Sequence, residues 1–178
     1  MNNKEKLKKE LLEDIIMLIA VIAVVFVLKN YVLINAVIPS GSMEDTIMVG
    51  DRVFGSRLAY KFGDPQRGDI VIFKYPDDES QLFIKRCIGL PGDKIEIREG
   101  LVYINDSDTP LEELYLPEPP IGDFGPYYVP ENCYFMLGDN RNWSKDSRLW
   151  ENTYVTEDEI LAKAVLRYYP FNAIGKIE

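Results

Sequence analysis

A mainly β fold with one N-terminal transmembrane helix is the fold class that this sequence predicts. The first observation is a long apolar segment near the N-terminus, residues 15–28 (IIMLIAVIAVVFVL). The second is a series of short β-branched or aromatic runs after it, bounded by Gly, Pro and Asp. The composition, 28% charged and 47% hydrophobic over 178 residues, is that of one folded domain. We therefore expect a membrane-anchored domain resembling a β-barrel or β-sandwich.

The apolar segment is predicted to span a membrane. Residues 15–28 alone would form a helix of about 21 Å, whereas residues 11–34 form one of about 36 Å, enough for the ~30 Å hydrocarbon core. A buried core helix is an alternative, but a helix that is apolar on every face suits lipid better. A cleaved signal peptide is another, but no small-x-small site follows, because Ile34 is bulky where the nearest candidate begins. We expect an uncleaved signal anchor over residues 11–34.

The distribution of lysines predicts the orientation of the span. Lys29 is the one basic residue between the apolar segment and Arg52. By the positive-inside rule, residues 1–10 form a cytoplasmic tail and residues 36–178 an extracytoplasmic domain. The lysines that precede the span are Lys4, Lys6, Lys8 and Lys9.

Short strands are predicted through the rest of the chain. The turn through Glu99 and Gly100 indicates a hairpin. Residues 105–132 contain six prolines and are predicted to be an inserted loop or small cap. Thr156 and Glu159 have capping-box spacing, which predicts a short helical turn. The predicted strands are residues 68–75, 81–88, 93–98 and 101–104, a strand beginning at 134, and residues 164–169.

The composition excludes several kinds of chemistry. The net charge is −9 with no long basic block, which argues against a nucleic-acid partner. The chain has no histidine, which excludes a Ser-His-Asp triad, a Cys-His pair and a His-ligated metal. Cys87 and Cys133 could pair or remain two buried thiols, and they are too few for a zinc site. We expect no metal and no cofactor, so the base of a serine hydrolase here would be a lysine.

Residues 37–51 (VIPSGSMEDTIMVGD) contain the first candidate nucleophile. Pro, Ser and Gly are ordinary turn residues, so a simple turn is one interpretation and a serine nucleophile on a sharp bend is the other. Ser42 is close to Ile34 in sequence, and a fully extended chain between the two residues would measure at most about 26–29 Å. Ser42 is therefore expected near the outer membrane surface.

Two further stretches carry candidate chemistry. Strand alternation in residues 81–93 (QLFIKRCIGLPGD) puts Phe83, Lys85 and Cys87 on one face, where an aromatic ring and a thiol would desolvate the amine. The alternative is an edge-strand lysine that deters aggregation. Residues 137–148 (LGDNRNWSKDSR) combine two serines with alternating acidic and basic residues. A solvated, salt-bridged loop is the alternative for that stretch.

Together these stretches resemble the type I signal peptidases, the bacterial leader peptidases that use a Ser/Lys dyad. PSGSM at residues 39–43 resembles the nucleophile box of that family, KRCIGLPGD at 85–93 its lysine box, and GDNRNWSKDSR at 138–148 its third signature. GDIV at residues 68–71 and YPFNAIG at 169–175 also match. The resemblance covers almost the whole chain in the expected order. The single span and modest cap resemble the Gram-positive branch of the family.

The resemblance implies an activity and a set of site residues. The activity would be removal of N-terminal signal peptides from exported preproteins at the membrane, after small-x-small sites, through an acyl-enzyme. Ser42 would be the nucleophile, Lys85 the general base, and the Ser40 hydroxyl with the Ser42 N–H the oxyanion hole. Ser144 would orient Lys85. The support residues would be Asp139, Arg141, Asp146 and Arg148, and the walls of the substrate pockets would be Ile38, Met43, Ile47, Phe83 and Ile84.

The sequence also departs from the family, and two other functions compete. Trp143 stands where the family usually has a small polar residue, and Ala162 replaces an expected glycine. A self-cleaving Ser/Lys protease of the repressor kind is one alternative, but it requires a DNA-binding domain where this chain has an apolar segment. A membrane-tethered β binding module, with Ser42 and Lys85 structural, is the other. Expected partners are preprotein signal peptides and the phospholipid membrane, with no nucleic acid.

Overall fold

A long exposed helix begins the chain. The structure is a computed structural model that describes residues 3–177. Met1 and Asn2 of the predicted tail and Glu178 of the predicted catalytic domain lie outside the described residues. Helix α1 (Asn3–Val27) continues as a π-helical turn (Leu28–Val32). Glu5–Val32 is long and apolar enough to cross a membrane, and its most apolar window has no buried residue.

The helix ends two residues before the predicted end of the span. Leu33 and Ile34 belong to the first strand, where they pair with Ser56 and Gly55. Ile34 is buried in the hydrophobic core. Its apolar side chain is therefore covered by protein and not by lipid, which the hydropathy of a continuous apolar run cannot distinguish.

Eleven strands follow, and most of them form one antiparallel sheet. That sheet has the strand order β1-β2-β10-β3-β4-β8-β9, with β11 beside β10, and a second sheet has the order β6-β5-β7. Among the described strands β1 and β9 are unpaired with each other, so the main sheet is open and not a closed barrel. The strands are β1 (Leu33–Val37), β2 (Arg52–Ser56), β3 (Ile70–Tyr75), β4 (Asp78–Gly89), β5 (Lys94–Arg98), β6 (Leu101–Ile104), β7 (Phe124–Tyr128), β8 (Cys133–Leu137), β9 (Val155–Thr156), β10 (Ile160–Tyr169) and β11 (Gly175–Lys176).

The mainly β prediction is confirmed, with differences at particular elements. The hairpin through Glu99 and Gly100 joins β5 to β6, as expected. Thr156 and Glu159 form the predicted capping box, but the helical turn is a single 3-10 turn, and the following residues belong to β10. The inserted segment, residues 105–132, is not only loop, because β7 lies within it and pairs with β5. Strands β1, β2, β9 and β11 were not predicted, since each is short and has no clear alternation.

Two clusters of buried side chains lie against the strands that position the candidate site. The first contains Ile34, Val53, Ile70, Ile72 and Ala162, together with apolar residues of the candidate nucleophile bend. Gly55 is required there because a Cβ would lie 2.7 Å from the Ile34 Cγ2 atom and 2.8 Å from the Ile72 Cδ1 atom. The second cluster contains Phe73, Tyr75, Cys87, Met136 and Trp150.

Both cysteines are free thiols. Cys87 is buried and Cys133 is half-buried. Burial raises the pKa of the Cys87 thiol to about 12, which keeps it protonated and unreactive at neutral pH.

Candidate active site

The bend that carries Ser42 is anchored by its own apolar side chains. The Ile47 N–H donates to the Met43 carbonyl at 2.7 Å, and the side chains of both residues are fully buried in the core. The Gly50 N–H donates to the Ile38 carbonyl at 2.8 Å, which closes the loop at its base. Burial of Met43 on one side of Ser42 fixes the bend, and Ser42 itself is 7% exposed.

Lys85 reaches Ser42 from the middle of strand β4. Its amine donates to Ser42 Oγ at 2.6 Å and to the Ile84 carbonyl at 3.2 Å. The residue is 4% exposed, and its Nζ atom lies 5.4 Å from the centroid of the Phe83 ring. Val71 of β3 is its partner in the sheet. Because the amine is buried against Ser42, the interpretation of Lys85 as a lysine that deters aggregation at a strand edge is wrong.

Burial controls the protonation of Lys85. It lowers the pKa of the amine from 10.5 to about 8, although the carboxylates of Asp146 and, to a smaller extent, Asp139 act in the opposite direction. A lysine with this pKa has a substantial neutral fraction near neutral pH, whereas an ordinary lysine has almost none. The arrangement can remove a proton from the Ser42 hydroxyl.

Ser40 lies beside the Ser42 hydroxyl on the solvent side. Their Oγ atoms are 3.5 Å apart, and Ser40 is exposed. Within residues 3–177 the Ser42 N–H makes no hydrogen bond, so it is free to donate to a ligand. Two donors of this kind are what an oxyanion hole requires.

Ser144 is close to the nucleophile bend, but its hydroxyl makes no hydrogen bond to Lys85. Ser144 is 5% exposed, and its hydroxyl has no hydrogen-bond partner among the described residues. Gly138 makes this position possible, because a Cβ there would lie 2.2 Å from Ser144 Oγ and 2.4 Å from the Ser42 carbonyl oxygen. The predicted role of Ser144 in orienting Lys85 stays a prediction, and its unpaired hydroxyl has the capacity for it.

Asp139 links the loop at residues 138–148 to β4, the strand that carries Lys85. Its two carboxylate oxygens accept hydrogen bonds from Arg86 Nε at 2.9 Å and Arg86 Nη2 at 2.7 Å. Oδ2 also accepts from the Thr46 hydroxyl at 2.6 Å. The next residue, Asn140, donates from its backbone N–H to the Ser42 carbonyl at 3.1 Å. The loop, the lysine strand and the serine bend are thus held together by one group of buried hydrogen bonds.

Asp146 and Arg148 close the same loop. Arg148 donates from Nε to Asp146 Oδ1 at 2.8 Å and from Nη2 to Oδ2 at 2.9 Å. Asp146 also accepts from the Gly138 N–H at 3.0 Å, and Arg141 donates from Nε to the Gly138 carbonyl at 3.0 Å. The interpretation of this segment as a solvated loop is wrong, because all these charged side chains are buried.

A groove of about 360 Å³ opens over the serine and the lysine. Phe83 and Ile84, both predicted to form substrate pockets, line it. The other three predicted wall residues are packed in the core at 0–2% exposure and are not among its lining residues; they are Ile38, Met43 and Ile47. Apolar character alone could not distinguish a pocket wall from the packing beneath the bend.

Residues that the sequence did not indicate also contribute. Trp143, noted only as a departure, is 80% exposed and stands at the rim of the groove. Thr46 and Arg86 were not predicted as site residues, although Arg86 lies within residues 85–93 and Thr46 shortly follows residues 39–43. Glu113, which binds Arg141, lies in the proline-rich segment and had no signal in the sequence. Within residues 3–177 no group of three or more His, Cys, Asp or Glu side chains could hold a metal ion.

The structure combines an antiparallel β domain, an apolar N-terminal helix and a buried serine whose hydroxyl is hydrogen-bonded to a desolvated lysine. This combination is typical of serine hydrolases that work without histidine. The chain belongs to the signal peptidase family, peptidase S26, whose model matches residues 10–169.

The chain is similar to named relatives and to a solved structure. A probable signal peptidase I-2 of Synechocystis is 39% identical over 153 residues, which are 83% of this chain and 68% of that protein. A signal peptidase I of Leptolyngbya laminosa is 39% identical over 158 residues, covering 84% of this chain and 75% of that protein. A solved structure of a signal peptidase I from Enterococcus faecalis is 35% identical, covers 57% of this chain and 97% of that one, and has a TM-score of 0.49.

Proposed function

We propose that this chain removes signal peptides from preproteins, with Ser42 as the nucleophile and Lys85 as the general base. The observation that carries the proposal is the buried 2.6 Å hydrogen bond between the Lys85 amine and Ser42 Oγ. A serine hydroxyl is a weak nucleophile until a neighbouring base accepts its proton. Burial of Lys85, which lowers its pKa to about 8, makes it such a base.

The proposed reaction has two stages. Ser42 Oγ attacks the carbonyl carbon of the scissile bond, and its proton moves to Lys85 Nζ. The tetrahedral intermediate then collapses, the C–N bond breaks, and the ammonium of Lys85 returns the proton to the leaving amine. Water hydrolyses the resulting ester with Lys85 again as the base, which regenerates Ser42.

The remaining predicted roles follow from where charge develops. The Ser40 hydroxyl and the Ser42 N–H would donate hydrogen bonds to the oxyanion. The Ser144 hydroxyl would orient the neutral amine of Lys85 by a hydrogen bond. The four charged support residues would hold the loop that carries Ser144 against the serine bend; they are Asp139, Arg141, Asp146 and Arg148.

Substrate binding is proposed along the exposed edge of strand β4. Among the described strands, β8 pairs with β4 only from Arg86 onward, so residues 81–85 have β3 on one side and an open edge on the other. An extended signal peptide could add to that edge by backbone hydrogen bonds. Phe83 and Ile84 would then face the substrate side chains. The apolar residues packed around the serine bend would restrict the site beside Ser42 to small side chains.

Cleavage of a labelled preprotein by the purified full-length chain tests this proposal. We expect efficient cleavage after an alanine in a small-x-small site, and almost none when phenylalanine replaces that alanine, because the apolar side chains packed around the serine bend leave little space for a large ring. Mass spectrometry of the two products locates the cut, and a preprotein with phenylalanine two residues after the scissile bond is the matched control. Equal cleavage of the alanine and phenylalanine substrates would contradict the pocket assignment.

The proposed topology has a cytoplasmic N-terminus and an extracytoplasmic catalytic domain. The lysines before the apolar helix support it, and the domain boundaries that we propose are a tail at 1–10, a span near 11–32 and a catalytic domain after it. Assignment to the Gram-positive branch stays a prediction, because the relatives given above include cyanobacterial proteins.

Protease added to intact spheroplasts that express the chain is expected to digest the β domain and spare the N-terminal tail. The reason is that the positive charges before the span hold that end in the cytoplasm. Lysed spheroplasts and a cytoplasmic marker serve as controls. A β domain that stays protected until lysis would overturn the orientation.

A further inference from the structure

Six charged side chains form a buried cluster behind the proposed dyad, and none of them is more than 5% exposed. Five belong to the stretches at residues 85–93 and 138–148. The sixth, Glu113, comes from the proline-rich segment, which is otherwise largely open to solvent. The guanidinium groups are Arg86, Arg141 and Arg148, and the carboxylates are Asp139, Asp146 and Glu113.

Glu113 points inward from an exposed segment. Its side chain is 4% exposed although the residue as a whole is half-buried, whereas the neighbouring Leu114 is 89% exposed. Glu113 Oε2 accepts from Arg141 Nη1 at 3.0 Å, and Oε1 accepts from Nη2 at shorter range, so the pair is bidentate. The Tyr115 hydroxyl donates to Oε1 at 2.6 Å. A bidentate pair fixes orientation as well as distance.

Tyr115 contacts the second guanidinium of the cluster. Its ring centroid lies 3.8 Å from the Arg86 Cζ atom, which is stacking distance for a guanidinium on an aromatic face. Arg86 follows Lys85 in strand β4 and holds Asp139. Residues 113–115, which we call the clasp, therefore contact both the strand of the base and the loop of Ser144.

The charges of the cluster balance only when Glu113 is counted. Three guanidiniums face three carboxylates, so a neutral Lys85 leaves the buried group without net charge. Without Glu113 one positive charge is in excess, and a nearby positive charge disfavours an ammonium. The carboxylates that act on Lys85 are Asp146 and Asp139, each with a guanidinium partner, and Lys145 lines the same groove as Lys85.

We propose that Glu113 is a positioning residue for the reaction. Through Arg141 it holds the loop of Ser144 and Asp146 against the serine bend, and through its charge it balances the buried cluster around Lys85. Tyr115 steadies the Glu113 carboxylate and covers Arg86. The inference rests on the proposed function of Ser42 and Lys85, and it gives the proline-rich segment a task in that site.

The test compares Glu113→Gln with Glu112→Gln, a neighbouring exposed glutamate whose loss changes the total charge equally. Preprotein cleavage by the full chain in detergent micelles is followed from pH 6 to 10. For Glu113→Gln we expect kcat to fall on the order of tenfold, because a shifted loop misplaces reacting groups. KM should change little, and the rise of kcat/KM with pH should move to lower pH. Glu113→Asp should recover part of the rate, and Glu112→Gln should behave as the wild type.

A purely structural role for Glu113 would give a lower Tm with kcat and pH profile unchanged, and that result would overturn the proposal. If Glu113→Gln does not fold, Tyr115→Phe removes only the hydroxyl and should shift both readouts in the same direction by less. NMR titration of ¹³C-labelled Lys85 compares the wild type and the variants without any cleavage. An inactive wild type would count against the proposed function, while an unchanged Lys85 titration in the Glu113→Gln variant would count against the clasp.

Discussion

Lys85→Met is expected to abolish cleavage and, at pH 7, to make the folded protein more stable. Methionine has nearly the length of the lysine stem and no proton-accepting amine, so Ser42 would lose its base. We expect kcat to fall on the order of 10⁴-fold or more. Lys85→Arg should be inactive as well, since a guanidinium stays charged at every pH at which the enzyme folds.

The gain in stability follows from the lowered pKa of Lys85. The unfolded chain binds a proton at Lys85 up to about pH 10.5, whereas the folded protein releases it near pH 8. Below pH 8 the full cost of a buried ammonium is present, about 3 kcal/mol, and it disappears as pH rises to 10.5. Loss of the hydrogen bond to Ser42 Oγ costs about 1 kcal/mol in return. A net gain of about 2 kcal/mol is therefore expected at pH 7.

Thermal unfolding of the full chain in detergent, at pH 7 and at pH 10, measures this effect. The wild type should become more stable relative to Lys85→Met as the pH rises, so the difference in Tm should shrink. Lys163→Met, which removes a half-exposed lysine paired with Asp69, is the control for loss of a lysine as such. A Lys85→Met variant that is less stable than the wild type at pH 7 would mean that Lys85 is a structural ion-pair partner.

Ser42→Ala is expected to reduce cleavage to background while leaving the fold and substrate binding intact. The change removes one oxygen from a residue that is 7% exposed, and the buried Met43 still anchors the bend. The loss in kcat should be on the order of 10⁴-fold or more, because no other group can form the acyl-enzyme. The preprotein should still bind, since the groove and the free edge of β4 are unchanged.

Ser80→Ala is the matched control, because Ser80 lies on the same strand as Lys85 but is exposed. Its activity should equal that of the wild type. Cleavage by Ser42→Ala within twofold of the wild type would remove Ser42 from the mechanism. If the protein is functional in cells but neither the wild type nor a variant cleaves the preprotein, the membrane-tethered binding module would be favoured instead.

The local elements of the site were predictable because they depend on short-range pattern. Alternation around Lys85 predicted a strand with a desolvated amine, and the absence of histidine made lysine the candidate base. The apolar segment predicted a long helix, although its end was placed two residues too late. The same reasoning could not assign Ile38, which is buried in the core, because an apolar residue beside a nucleophile serves equally well as pocket wall or as core.

The sequence by itself determined the chemical groups, their order along the chain and the apolar helix near the N-terminus. Only the tertiary structure decided which groups meet: that Lys85 lies 2.6 Å from Ser42, that the Ser144 hydroxyl is unpaired, and that Glu113 of an open, proline-rich segment binds Arg141. The physical reason is separation in sequence. Hydropathy and turn chemistry act over a few residues, whereas a buried ion pair forms between chain segments brought together by the whole sheet, and burial sets the charge of each group.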